Sequence, residues 1–361
     1  MDIRLHRRNF LTLAGAATLG GLGLAGHTNH AKAAEDLVWL TWENLAKDDY
    51  IGPFLSQSGI GLTKNFIGTD DEQFAKLRAG GSSSVDLITP GLDKVELYVA
   101  SNLLQPIDLA RVPNAASLYD TFKNTPLGKK DGQTYGLPFY WGINPIVYRA
   151  DLMSEEPDWS VFFTGEKYKG RLAMRDYALE GIMIAALYLG IPRERMFDMD
   201  DRELAEVKKA LLAQKGLLRT YWNSISDLTN LFATGEVACA FSWVPPYYEL
   251  LGRGLNMGMA KPKQGVIGWC DTLAIPAGVS DERLDATLKL VDYLLGADYG
   301  AKLAVGGPYA LSTSLAREKL TEEQQEKIFV KDLSIMDSFV WKANPARYSD
   351  WVRLWNEVKA S

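Results

Sequence analysis

The chain has 361 residues, with 39 Lys and Arg against 45 Asp and Glu, three His and two Cys. That acidic balance disfavours nucleic acid and anionic lipid as partners and mildly favours cationic ligands. The length suits two domains of ordinary size, and two cysteines suit neither a disulfide scaffold nor a zinc site.

The first element in order is a targeting segment. His6-Arg7-Arg8-Asn9-Phe10-Leu11 is a twin-arginine signature, a weakly apolar run from Leu11 to Gly26 follows, and Ala31-Lys32-Ala33 supplies an A-x-A cleavage site. The run is shorter than the ~20 residues a membrane-spanning helix needs. Residues 1–33 are therefore expected to be a twin-arginine signal peptide, with an uncleaved anchor as the alternative, and the mature protein to be periplasmic. His6, His27 and His30 all fall in this segment, so the mature chain has no histidine. His-based acid–base or nucleophile chemistry and His-ligated metals are thereby excluded. Loss of Arg4, Arg7, Arg8, Lys32 and Asp2 leaves 35 basic against 44 acidic residues, a formal charge of about −9. No phosphate loop or metal-ligand cluster is visible, so no cofactor, no metal and no catalysis are expected.

The mature chain begins with an apolar strand over 37–40, and Trp42-Glu43-Asn44 follows at its carboxyl end. Open α/β sheets place ligand residues at such ends. A helix over 49–58 is expected, interrupted early by Pro53. A strand over 61–67, a helix over 70–79 stopped by Gly80-Gly81, a strand over 85–89 and a helix over 93–100 complete a β-α-β-α rhythm. Gly136-Leu137-Pro138-Phe139-Tyr140-Trp141-Gly142 then sets three aromatics between Pro and Gly, and a strand resumes over 143–148. This is read as a strand leaving the first lobe. Trp141 either lines a cleft or packs the hinge.

A strand over 172–176 and a helix from 176 to Gly190 carry Asp176 and Glu180, and carboxylates in a first turn are ordinary caps. Asp200–Ala213 reads as an amphipathic helix with an Asp200/Glu203 capping pair. A helix over 227–234 and a strand over 237–243, ending at Trp243 before Pro245-Pro246, come next. Helices over 281–295 and 321–328, the latter with a Thr321/Gln324 capping box, flank the Gly306-Gly307-Pro308-Tyr309 loop. A last helix over 348–359 carries Trp351, Leu354 and Trp355 as packing residues, and Trp222 is also expected in the core. Cys239 and Cys270 sit in separate predicted strands and pair only if those strands are neighbours.

The stretch 265–276, Gly-Val-Ile-Gly-Trp-Cys-Asp-Thr-Leu-Ala-Ile-Pro, is the most informative. Its β-formers predict an extended strand, and Trp269 and Asp271, two apart, leave it on the same face. A ring face beside a carboxylate suits an organic cation, through the ring quadrupole and through charge. The same pattern also suits a buried Trp and an Asp turning a strand end.

Several pieces in order resemble the periplasmic spermidine/putrescine-binding proteins of ABC importers. They are Trp42-Glu43, Val-Asp-Leu-Ile-Thr-Pro at 85–90, Gly-Leu-Pro-Phe-Tyr-Trp-Gly at 136–142, Tyr-Lys-Gly-Arg-Leu at 168–172, Gly-Glu-Val-Ala at 235–238 and Trp-Cys-Asp-Thr-Leu-Ala-Ile-Pro at 269–276. The resemblance implies an α/β, two-lobed type II periplasmic-binding fold with two interlobe crossing strands, closing on its ligand by hinge motion. The lobes would be 34–141 with 270–317, and 142–269 with 318–361. It implies that Trp42, Trp243 and Trp269 flank the aliphatic body of an amine and that Asp271 and Glu180 bind ammonium groups. Trp141, Glu43 and Tyr309 complete the expected ligand-binding set.

The expected function is capture of a polyamine or related cationic amine and delivery to the membrane permease subunits of an ABC importer, by a monomer without nucleic-acid partners. Two departures matter. The family's helix start usually offers two acids three apart, whereas Tyr177 stands at the first position and Asp176 is displaced by one. Near 91–93 the family carries a small hydroxyl residue and a Tyr, and here stand Gly91, Leu92 and Asp93. A quaternary ammonium, guanidinium or amino-acid-like solute therefore stays open as an alternative, as does an enzyme on a related two-lobed fold.

Overall fold

The run Leu-Val-Trp-Leu-Thr, dense in β-formers, folds as the strand Leu37–Thr41 and starts a three-stranded parallel sheet. Leu62–Phe66 and Leu87–Ile88 flank it on either side. The structure, a computed structural model, describes residues 36–361; the expected signal segment lies outside the described residues. The helix after the first strand, Asp48–Ser58, runs through Pro53 without the expected interruption. Proline this early removes one intrahelical bond, to the carbonyl of Asp49, and that carbonyl accepts instead from the Lys302 ammonium.

A second, five-stranded sheet is built from Ile146–Arg149, Leu172–Arg175, Leu218–Trp222, Cys239–Phe241 and Met257–Ala260. Between the segments that form these two sheets run two long strands, Leu137–Asn144 and Val266–Leu273. They pair antiparallel along nearly their whole length, with a register shift between Asp271 and Thr272. The first hands the chain from the three-stranded sheet to the five-stranded one, broken only at Pro145. The second returns it, bridging to Gly91 at Asp271 and to Ile88 at Ala274.

Ala310–Leu311 joins one side of this pair, and Phe339–Trp341 runs parallel to Val266–Gly268 on the other. Neither short strand, nor the helices Val244–Gly252 and Ala297–Gly306, stands out in the sequence. Val244–Gly252 starts on the Pro245-Pro246 pair that reads locally as a stop, because proline is tolerated in a first helical turn.

Most buried apolar side chains fall into two large clusters. One gathers Trp39, Leu87, Phe139, Trp141, Leu294 and Tyr299. The other gathers Trp159, Leu179, Ile182, Phe241, Trp351 and Trp355. The last helix, Tyr348–Ala360, packs its Trp351, Leu354 and Trp355 on Ala178–Tyr188 and Asp201–Lys215. The capping boxes at Asp200/Glu203 and Thr321/Gln324 are both formed. Trp222 is buried and donates its indole N–H to the Phe241 carbonyl. Cys239 and Cys270 are both buried and free, in different sheets. Among the described residues no helix is long and apolar enough to cross a membrane.

Candidate functional site

A cleft of about 470 Å³ opens where strand ends of both sheets meet the long antiparallel pair. Its lining follows from topology. Trp42 directly follows the first strand, Asp70 opens the helix Asp70–Arg78, Arg175 ends Leu172–Arg175, Trp243 caps Val244–Gly252 and Lys342 follows Phe339–Trp341. The central pair contributes Tyr140, Gly142, Ile143 and Asn144 from one strand and Trp269 and Asp271 from the other. Apart from Ile143, these are alternate residues, as one face of a pleated strand requires.

Asp271 anchors one wall. Tyr140 donates its phenol O–H to Asp271 Oδ2 at 2.8 Å. Tyr140, Trp269 and Tyr309 pack mutually edge-to-face, with centroids 5.3 to 5.8 Å apart. Trp269 lies directly over Gly142: a Cβ there would come 2.6 Å from the indole Cζ2, so only glycine leaves room for the ring. Two more carboxylates gather nearby. Gly91 N–H donates to Asp70 Oδ1 at 3.2 Å, and a Cβ on Gly91 would fall 2.8 Å from Asp93 Oδ1 and 3.8 Å from Asp271 Oδ1.

This crowding controls ionisation. Burial, with the charge of Asp70 next and that of Asp93 adding, pushes the Asp271 carboxyl up to about 7 against the opposing Tyr140 hydrogen bond and the charge of Lys342. Burial and Asp93 likewise raise Asp70. Burial first, then the adjacent Asp271, holds the Tyr140 phenol well above its ordinary range, so it stays a donor. Burial would lower the Lys342 ammonium, but the charges of Asp93, Glu180, Asp271 and Asp70 outweigh it and hold the group protonated.

The opposite wall is cationic. The Arg175 guanidinium lies over the ring of Trp243, 4.4 Å from its centroid, and over that of Tyr177, at 4.8 Å. Behind it Glu180 is 0 % exposed, accepting from Arg175 Nη1 at 2.9 Å and from Asn144 Nδ2 at 2.8 Å.

Five of the expected ligand-binding residues, Trp42, Trp243, Trp269, Asp271 and Tyr309, therefore line one cleft. Three do not. Trp141 is 0 % exposed and points to the other side of its strand, donating to the Leu311 carbonyl and packing on Phe122 and Phe339. Glu180 stands behind Arg175, its charge already matched. Glu43 is exposed at the start of the turn Glu43–Leu45, outside the lining. Neither displaced acid fills the gap left at Tyr177. Asp176 is clamped by Trp355 Nε1 and Lys359 Nζ, and Asp93 is buried behind Gly91 beside Lys94.

Sequence reasoning missed Tyr140, Asp70, Asp71, Arg175 and Lys342. Strand alternation could have found Tyr140, since its neighbour Trp141 must face the other way. Nothing local marks Lys342, which arrives from a short strand late in the chain.

Comparison with known proteins gives the family. Residues 49–327 match the family model of the bacterial extracellular solute-binding proteins. The chain belongs to this family. It is 24 % identical over 327 residues to a spermidine/putrescine-binding periplasmic protein of Escherichia coli, covering 90 % of this chain and 91 % of that one. A putrescine/cadaverine-binding protein of Pseudomonas aeruginosa is 28 % identical over 289 residues, 76 % of this chain and 78 % of the other. Among solved structures, a spermidine/putrescine ABC transporter substrate-binding protein from Streptococcus pneumoniae superimposes with a TM-score of 0.77 at 19 % identity, covering 90 % of this chain and 97 % of that one. The fold is thus the two-lobed α/β fold of solute-binding proteins, and the family is one of transport rather than catalysis.

Proposed function

We propose that this protein captures a small cationic amine, of the polyamine class or related to it, in the periplasm and delivers it to the membrane permease subunits of an ABC importer. One observation carries the reading: a carboxylate, Asp271, lines the cleft and accepts from Tyr140, which packs with Trp269 and Tyr309. An ammonium there would gain a charge-assisted hydrogen bond and the faces of aromatic rings, and would relieve the repulsion that Asp271 feels from Asp70. Trp42 and Trp243 would flank the methylene body. The names of the curated relatives, which bind putrescine, spermidine or cadaverine, support the same chemistry. In this reading the lobes comprise 34–141 with 270–317, and 142–269 with 318–361, and the two long strands act as the hinge.

The test is a thermal-shift panel of putrescine, spermidine, agmatine, choline and betaine on the purified protein. A ligand at a hundredfold its Kd stabilises the fold by about 2.7 kcal/mol, which is a shift of several degrees. At least one primary amine should produce it, and a flat response to all the amines would sink the reading.

A further inference from the structure

The cleft is electrically two-sided. The carboxylates that line it, Asp70, Asp71 and Asp271, all come from the segment 70–71 and from the long strand that bridges back to Gly91. The wall built from the five-stranded sheet and its helices contributes Arg175, Tyr177 and Trp243 and no lining carboxylate. Its nearest acid, Glu180, is fully buried behind Arg175. Lys94 and Lys342 also line the cleft; Lys94 is paired with Asp93, and Lys342 lies close enough to feel both Asp271 and Glu180.

Arg175 and Lys342, unlike Lys94, are under-used. Arg175 has five N–H donors, and among the described residues only its Nη1 is bonded, to Glu180. Lys342 makes no hydrogen bond or ion pair within bonding distance of any described residue. Neither has its nitrogens sealed from the cleft: the Arg175 side chain is 25 % exposed, and no nitrogen of either residue is among the buried polar atoms left without a partner.

An alkyl diamine anchored at Asp271 would carry its second ammonium toward this cationic wall. It would meet like charge there and no lining carboxylate to offset it. We propose instead that the ligand is a zwitterion: an amine whose ammonium sits against Asp271 and the Tyr140–Trp269–Tyr309 ring, and whose far end is a carboxylate held by Arg175 with help from Lys342. This rests on the amine reading of the acidic wall and narrows it. The planar guanidinium, fixed in orientation by Trp243 and Tyr177, presents its free edge as a fork that matches a carboxylate. An ω-amino acid with a short methylene chain fits both poles and the aromatic middle.

The test is calorimetry on ligand-stripped protein with matched four-carbon compounds: putrescine, 4-aminobutanoate, butylamine and butanoate, repeated at three, five and six carbons. The amino acid should bind at least about tenfold more tightly than the diamine or the monoamine of the same length. Replacing Arg175 alone strands a buried carboxylate, so the variant pairs Arg175→Met with Glu180→Gln. It should lose the preference for the amino acid, weakening its binding at least about tenfold more than that of butylamine, whereas a merely structural role for Arg175 would weaken both alike. Lys342→Gln, which leaves Glu180 bonded, should weaken the amino acid more than butylamine. A diamine that outbinds the amino acid at every length overturns the zwitterion and leaves the amine site standing. Butanoate binding as well as the amino acid overturns the amine site itself, and binding by none of the series overturns both.

Discussion

Asp271 sits where burial and neighbouring carboxylates both oppose its ionisation, yet its proposed task requires it charged. The two facts fit if the ligand supplies the missing positive charge. Asp271→Asn keeps the shape and a hydrogen bond to Tyr140 while removing the charge, so amine affinity should fall by at least ~1.5 kcal/mol, the scale of a charged hydrogen bond. Titration calorimetry at pH 8, where Asp271 is ionised, checks this.

The raised carboxyl also predicts a pH dependence with a definite sign. In the empty protein the folded state holds the Asp271 proton up to about 7 while the unfolded chain releases it near 3.8. Its contribution to stability is therefore complete below pH 4 and is lost as the pH climbs through about 7. Melting curves of the wild type and the Asn variant should diverge over that window, the wild type losing ground. Amine affinity of the wild type should rise over its upper part, because binding requires the ionised form. Parallel curves would remove Asp271 from the account. Glu180 is the counter-case: as a sequence it is an acid one turn into a helix, and only its ion pair shows that its charge is spent.

At the scale of elements, the site is the product of two adjacent strands in one register. Gly142 lies opposite Trp269, and the indole rests where a side chain would stand. Gly142→Ala should therefore displace the ring or strain the pair, lowering stability by roughly 1–3 kcal/mol, the range for overpacking, and weakening ligand binding with it. Thermal unfolding and ligand-induced tryptophan fluorescence would report both. An alanine that changes neither would mean the indole is not held in this position. Alternation within a strand was legible in advance, since Trp269 and Asp271 are two apart. The same rule applied to Phe139-Tyr140-Trp141 points to Tyr140 as the cleft residue and sends Trp141 to the core. A motif match does not carry that information, because it weights all three aromatics equally.

At the scale of the whole molecule, the parts that make the cleft are far apart in sequence and meet only through the doubly wound sheets and the long pair. Trp42, Arg175, Asp271 and Lys342 come from four separate segments. If the pair is the hinge, saturating ligand should draw the lobes together. Small-angle scattering should then show a smaller radius of gyration with the bound amine than without it. An unchanged radius would argue for a preformed, rigid site.

The sequence by itself determined the α/β class, the order of most elements, the absence of histidine chemistry after residue 33, and the strand bearing Trp269 and Asp271. These are local properties: periodicity, turn residues, composition and a two-residue spacing are all written along the chain. Tertiary structure alone decided the electrical character of the cleft. Whether an acid is free or spent depends on what stands beside it, and Arg175 stands beside Glu180. Whether a lysine reaches the site depends on where a short strand docks, and Phe339–Trp341 docks against Val266–Gly268. Charge acts through space rather than along the chain, so the cationic wall became visible only once the segments were folded together.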